Sequence, residues 1–244
     1  MTQIYDALAP VLGAVSGVVL LLLVVFLLLG STRKFWVVLL YVSWELVATV
    51  GLTIADLLLH GTAQQMDRAK QTANNRLYAH LYWTNDVIVD LLRFVLVAVL
   101  IYKVVGSSKP SLGRLLALLV LAMIILPFPL FHPTFDPYPQ VPWFNSTSQL
   151  LNFGAAIMNL VLWTALIQAR KRDPQIVAVS IGLGILVTGT AISYGLRHFK
   201  LQGEFTALYN LFLNLTQLGA WLIWCRAFWP PKKPRIPATA IPPD

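Results

Sequence analysis

Asp86, Asp90 and Arg93 fall at i, i+4 and i+7 within an otherwise apolar stretch. On a helix, that spacing puts two carboxylates and one guanidinium on a single face. Glu45 stands in a second apolar stretch earlier in the chain. Two acids beside one base survive away from water only if one acid is protonated, or if water or a cation enters the site. The chemistry expected here is a buried ionic switch or a proton-linked site. The plainer alternative is a structural Asp90–Arg93 pair with Glu45 neutral and hydrogen-bonded. Enzymatic catalysis is not expected. No nucleophile–base pair, metal clamp or phosphate loop appears in the sequence.

Amides recur at helical spacing in two further stretches: Asn152 and Asn159, then Asn210, Asn214 and Gln217. Each alone reads as hydrogen-bond glue between membrane helices. Together with the acids they would make a shared polar interior, hydrated or ligand-binding, bounded by the second, third, fifth and seventh stretches. His60, His80, His132 and His198 all map to stretch ends on one side. They are weak candidates for an outer-face metal or pH-sensing site. No pair has the i, i+4 spacing of a helical clamp, so unrelated interfacial histidines are the simpler expectation. No metal, haem or other cofactor is expected, and a bound lipid is left open.

The elements that position these residues follow from composition. Hydrophobic residues make up 57% of the 244, charged residues 11%, and mean hydropathy is +0.70. A soluble surface needs about a quarter charged residues, so lipid must be the solvent for most of the chain. Seven apolar runs are long enough to cross a bilayer: 8–30, 35–59, 80–104, 112–131, 148–169, 175–197 and 205–228. Barrel strands would be half that length with alternating polarity, so the expectation is an all-α bundle of seven transmembrane helices. A rise of ~1.5 Å per residue puts Glu45 and Asp90 ~15 Å deep, Arg93 ~20 Å and Asp86 ~9 Å.

Lysine and arginine set the direction. With the N-terminus outside, the inner segments hold Arg33, Lys34, Lys103, Lys109, Arg114, Arg170, Lys171, Arg172, Arg226, Lys232, Lys233 and Arg235. The outer segments hold only Arg68, Lys70, Arg76, Arg197 and Lys200. This bias suits a bacterial inner membrane with the C-terminus inside. The net charge of +8 then reflects topology and attraction to anionic lipid. Nucleic acid is not an expected partner, because the basic residues are scattered over short loops.

Residues 61–79 are polar and expected to form a short surface helix or a mobile loop. The segment 132–147 carries Pro133, Pro137, Pro139 and Pro142 among aromatics. It is expected to be non-helical, either a lid over a pocket or a loop tucked at the interface. Trp36, Tyr41, Tyr78, Tyr82, Trp83, Trp143, Trp224 and Trp229 read as interfacial belts without a specific role. Residues 230–244 read as a disordered Pro/Lys-rich tail. Cys225 is the single cysteine, which excludes an internal disulfide. Ser180, Gly184, Gly189, Ala191 and Gly195 make the sixth span a close-packing surface for an internal helix or a second protomer.

Seven helices with an outer N-terminus match the topology of G-protein-coupled receptors and microbial rhodopsins. The motifs of those families are missing: no mid-helix lysine in the last span, no Asp-Arg-Tyr after the third, no Asn-Pro-x-x-Tyr in the seventh. The runs Leu81-Tyr82-Trp83 through Tyr102-Lys103 and Tyr209-Asn210-Leu211 through Ile223-Trp224 resemble uncharacterised seven-helix proteins of acidobacteria. That resemblance covers about residues 80–228 and implies the architecture, with no activity attached.

Three functions fit these features. The first is a sensor or small-ligand-binding protein whose ionic cluster is read by a separate partner. The second is an accessory subunit of a larger energy-transducing membrane complex. The third is a small proton-coupled transporter.

Overall fold

The structure is a computed structural model, and it describes residues 2–30, 34–60, 68–105, 110–125, 140–168, 173–198 and 204–229. These residues form seven helices: α1 (Thr2–Gly30), α2 (Trp36–His60), α3 (Arg68–Val105), α4 (Pro110–Ile125), α5 (Gln140–Gln168), α6 (Pro174–His198) and α7 (Glu204–Phe228). Each of the seven apolar runs coincides with one of them. Four are long and apolar enough to cross a membrane, over Val11–Gly30, Trp36–Leu59, Ser146–Gln168 and Pro174–Ser193. A helix satisfies its own backbone groups, which hydrocarbon cannot do.

Helix ends follow local chemistry. Asp173 Oδ1 accepts from the Gln175 amide at 2.9 Å, and Pro174 holds the first helical position, where a missing N–H costs nothing. The same rule corrects one expectation. Residues 140–147 are not a loop but the first two turns of α5. Pro142 is the third residue of that helix, where backbone N–H groups have no intrahelical acceptor anyway. Residues 132–139 lie outside the described residues, as do 126–131 at the end of the fourth run and 230–244. Residues 68–79 are likewise neither a separate helix nor a loop, but the first twelve of a continuous 38-residue α3. Asn74 on this extension donates to the Leu59 carbonyl at 2.8 Å, which ties it to the end of α2.

Packing closes a ring in the order α1, α2, α3, α5, α6, α7 and back to α1. α3 also touches α6 across the ring, and α4 packs on α3. Alternating helix ends meet at one end of the bundle. Lys34, between α1 and α2, pairs with Asp173 ahead of α6. Lys103, near the end of α3, donates to the Lys34 carbonyl. Phe35 packs edge-on against Phe228 of α7 at 5.0 Å, and Gln175 Nε2 reaches the Ala227 carbonyl at 3.4 Å.

α1 buries Val19, Leu20, Leu23 and Leu27 and leaves Val18, Leu21, Leu28 and Leu29 bare. α2 leaves Val47, Val50, Leu57 and Leu58 bare, and α5 leaves Ile157, Leu160 and Ile167. Apolar faces of this extent on neighbouring helices suit lipid and not water.

The glycines of α6 serve the ring itself. A Cβ on Gly184 would lie 2.8 Å from Asn159 Nδ2 of α5, and one on Gly189 would lie 2.6 Å from Thr216 Oγ1 of α7. Small residues here let three helix backbones approach, as in small-xxx-small packing.

Candidate functional site

Arg93 is the centre of the polar interior. α3 carries it inward on the face that also buries Asp90, and the two are 3% and 1% exposed. Nη1 donates to Asp90 Oδ1 at 2.8 Å, an i, i+3 pair. Nη2 donates to Glu45 Oε1 on α2 at 3.2 Å, and Nε donates to the Tyr41 hydroxyl at 3.1 Å. Nη1 also reaches Thr190 Oγ1 on α6 at 3.3 Å. One guanidinium therefore joins α2, α3 and α6. Arginine suits this role because its planar fork presents several donors in a fixed geometry.

The second layer holds the partners in place. The Tyr41 hydroxyl donates to Glu45 Oε1 at 2.7 Å. Its ring packs edge-on against Trp224 of α7, centroids 5.9 Å apart. Trp224 Nε1 in turn donates to the Val179 carbonyl of α6 at 3.0 Å. Thr190 donates to the Leu186 carbonyl at 2.7 Å, leaving its oxygen lone pairs for Arg93.

On the other side of Asp90 stands α5. The Ser148 hydroxyl and the Asn152 amide face the Asp90 carboxylate. Asn152 Nδ2 donates to the Ser148 carbonyl at 2.9 Å. Asp90 Oδ2, Ser148 Oγ and Asn152 Oδ1 have no hydrogen-bond partner among the described residues. Asp86, one turn along α3, is half-buried and close enough for its charge to act on Asp90.

Of the residues singled out by spacing, Glu45, Asp90, Arg93 and Asn152 come together, with Asp86 at the margin. Asn159 is buried two turns away, against Gly184. Asn210, Asn214 and Gln217 on α7 are half-buried. None of the three bonds to the Arg93 cluster among the described residues. The polar interior is thus bounded by α2, α3, α5 and α6, with α6 in the place expected for α7. His80 is exposed on α3. His60 and His198 end α2 and α6 with side chains outside the described residues, and His132 lies wholly outside them. Among the described residues no group of three His, Cys, Asp or Glu comes together.

Four contributors escape a reading by residue type. Tyr41 and Trp224 were expected in an interfacial belt, yet both are fully buried. Tyr41 lies one turn before Glu45, and that i, i+4 spacing is the signal that could have found it. Thr190 and Ser148 carry no sequence signal beyond being polar in apolar surroundings.

Asp173, at the Lys34 end of the bundle, has its carboxyl held below the usual range. Partial burial pushes it up, but hydrogen bonds from Lys34 and from the Gln175 and Ile176 amides outweigh that. An apolar cavity of about 490 Å³ lies apart from the cluster, between α3 and α4, lined by residues including Val95, Val99, Tyr102, Leu116 and Val120. Its lining suits an acyl chain better than a polar ligand. No protein-family model, curated protein or solved structure matches this chain.

Proposed function

We propose that this protein is an integral membrane sensor. Its Arg93 cluster responds to a small ligand or to protons, and a separate partner at the inner face reads the change. The observation that carries this reading is the sharing of Arg93 between Glu45 on α2, Asp90 on α3 and Thr190 on α6. Two carboxylates compete for one guanidinium. Neutralising either one shifts the hydrogen bonds of Arg93 toward the other and so alters how α2 and α6 are tied to α3. A device of this kind needs a two-state element whose balance a local charge can move.

In this reading all seven helices span the inner membrane of a bacterium, with the N-terminus outside and the C-terminus inside. The meeting of alternate helix ends around Lys34, Lys103 and Asp173 supports the up–down order. α3 is not among the four most apolar helices because Asp86, Asp90, Arg93 and Lys103 lie in it. Those charges are what a functional span carries.

The test is hydrogen exchange on the full chain in lipid nanodiscs, followed by mass spectrometry between about pH 5 and pH 8, with protection corrected for the intrinsic pH dependence of amide exchange. Exchange in α2 and α6 is expected to change with pH, and Asp90→Asn is expected to freeze it in one state. A wild type without any such change would make the cluster a static brace. Native mass spectrometry after gentle extraction addresses the partner. A fixed set of stoichiometric subunits would replace the sensor reading with that of an accessory subunit.

A further inference from the structure

α4 packs on α3 from outside the ring, and the two helices leave the apolar cavity of about 490 Å³ between them. That size falls within the ~300–1,000 Å³ of small-ligand pockets. Val95, Ala98 and Tyr102 line it from α3, and Gly113, Ala117 and Leu121 from α4. The three α3 positions lie about half a turn round the helix from Arg93. The cavity is therefore on the back of the helix that carries the ionic cluster. Its cause is local. A Cβ on Gly113 would lie 3.2 Å from Tyr102 Cε2, so the aromatic ring takes up the close approach at that end. One turn further along, Ala98 and Ala117 line the gap with methyl groups too short to fill it. Van der Waals packing is what holds membrane helices together, and an empty gap forfeits it.

Shape, polarity and charge identify the occupant. The slot runs along the helices from Tyr102 to Val95, ~10 Å at ~1.5 Å per residue. Its walls are aliphatic apart from Tyr102, so a strongly polar occupant would lose its hydration for little in return. Leu118 and Leu121 of α4 are bare, 63% and 50% exposed, as lipid-facing side chains are. At the Gly113 end the chemistry changes. Arg114 shares a helix face with Ala117 and Leu121, at i, i+3 and i+7. It is exposed and has no partner among the described residues. Lys34 and Lys103 at the same end are engaged, with Asp173 and with the Lys34 carbonyl. An apolar slot that ends at a free guanidinium complements a hydrocarbon chain that ends in a negative charge. Arginine takes phosphate through two parallel hydrogen bonds. A zwitterionic headgroup brings its own cation beside the phosphate and gains less.

We infer that the slot between α3 and α4 is a specific site for one anionic phospholipid, with an acyl chain between Ala98 and Ala117 and the headgroup phosphate on Arg114. The lipid completes the packing of α4 on the ring. The site does not rest on the sensor reading, because it uses the opposite face of α3.

The experiment uses the full chain in nanodiscs of phosphatidylcholine with a minor fraction of phosphatidylglycerol. Native mass spectrometry counts the lipids that stay on the protein after release. One phosphatidylglycerol per chain is expected to survive activation that strips the phosphatidylcholine. Arg114→Gln should weaken its retention about fivefold. Ala117→Phe fills the slot and should abolish retention. Its melting temperature in phosphatidylcholine alone should stay close to the wild type's, because Ala117 is exposed. Arg226→Gln is the control for general surface attraction. Arg226 is an exposed cation in the last turn of α7, at the same end of the bundle, and its loss should leave retention unchanged. Equal retention of the two lipids would overturn the inference, as would equal losses in Arg114→Gln and Arg226→Gln. A lipid-free dimer that Ala117→Phe dissolves would also overturn it and give the slot to a second copy of the chain. Should Ala117→Phe fail to fold, the two arginine variants still decide.

Discussion

Tyr41 and Arg93 meet at 3.1 Å, Nε donating to the phenolic oxygen, and the same hydroxyl donates a hydrogen bond to Glu45 Oε1 at 2.7 Å. Arg93 therefore reaches Glu45 twice, directly and through Tyr41. The phenol orients both charges and keeps the pair from relaxing. Tyr41→Phe removes this bridge and leaves the ring against Trp224. It is expected to cost about 1.5–3 kcal/mol, the range for a hydrogen bond to a charged group. Thermal unfolding in nanodiscs measures it, and an unchanged melting temperature would mean the bridge is not made.

The two acids and their base should not respond alike to neutralisation. Arg93→Met leaves two carboxylates buried together and is expected to lose about 3–5 kcal/mol. Glu45→Gln keeps a hydrogen-bonding side chain and leaves Arg93 with one full partner, Asp90. Its cost is expected to stay within about 1 kcal/mol, because the remaining pair is neutral overall. Comparing the two variants by chemical or thermal unfolding decides this. Equal losses would argue against a shared guanidinium.

The glycines of α6 make a prediction about packing. On Gly182, an added methyl meets the Trp224 ring and the Ala220 carbonyl, the latter at 3.0 Å. On Gly189 it meets three atoms of Thr216 at 2.6–2.9 Å. Gly182→Ala and Gly189→Ala are each expected to destabilise the bundle by about 1–3 kcal/mol. Gly51 on α2 has nothing within 4 Å of its would-be Cβ. Gly51→Ala should be neutral, or stabilising by up to about 1 kcal/mol through helix propensity. Melting temperatures of the three variants in one lipid give the comparison.

The Lys34–Asp173 pair lies near the end of the bundle and should titrate. Asp173 has a depressed folded value, so its contribution is fully present above the unfolded carboxyl range, about pH 4. It is lost as pH falls through the folded value below that. Asp173→Asn keeps an acceptable helix cap and removes only the charge. The variant should be less stable than the wild type at pH 6 and match it in strong acid. Because both partners are substantially exposed, the difference should be at most about 1 kcal/mol and shrink in high salt. A gap that persists in acid would assign the effect to the cap.

Much of this arrangement is written in the order of the residues. Apolar runs of about 20 residues dictate where the helices lie, because hydrocarbon leaves the backbone no other partner than itself. The i, i+4, i+7 spacing puts Asp86, Asp90 and Arg93 on one face of α3 whatever surrounds it. The matching of Glu45 to Asp90 in depth follows from counting residues. What only the tertiary structure decided is which faces meet. A helix with apolar residues all round gives no sign of its inward side, so Tyr41 and Trp224 could not be told from belt aromatics. That Thr190 of α6 completes the cluster, while Asn210, Asn214 and Gln217 of α7 stand apart from it, depends on helix rotation and neighbour order. Those are set by the small residues of α6 against α5 and α7, through contacts between positions far apart in the chain.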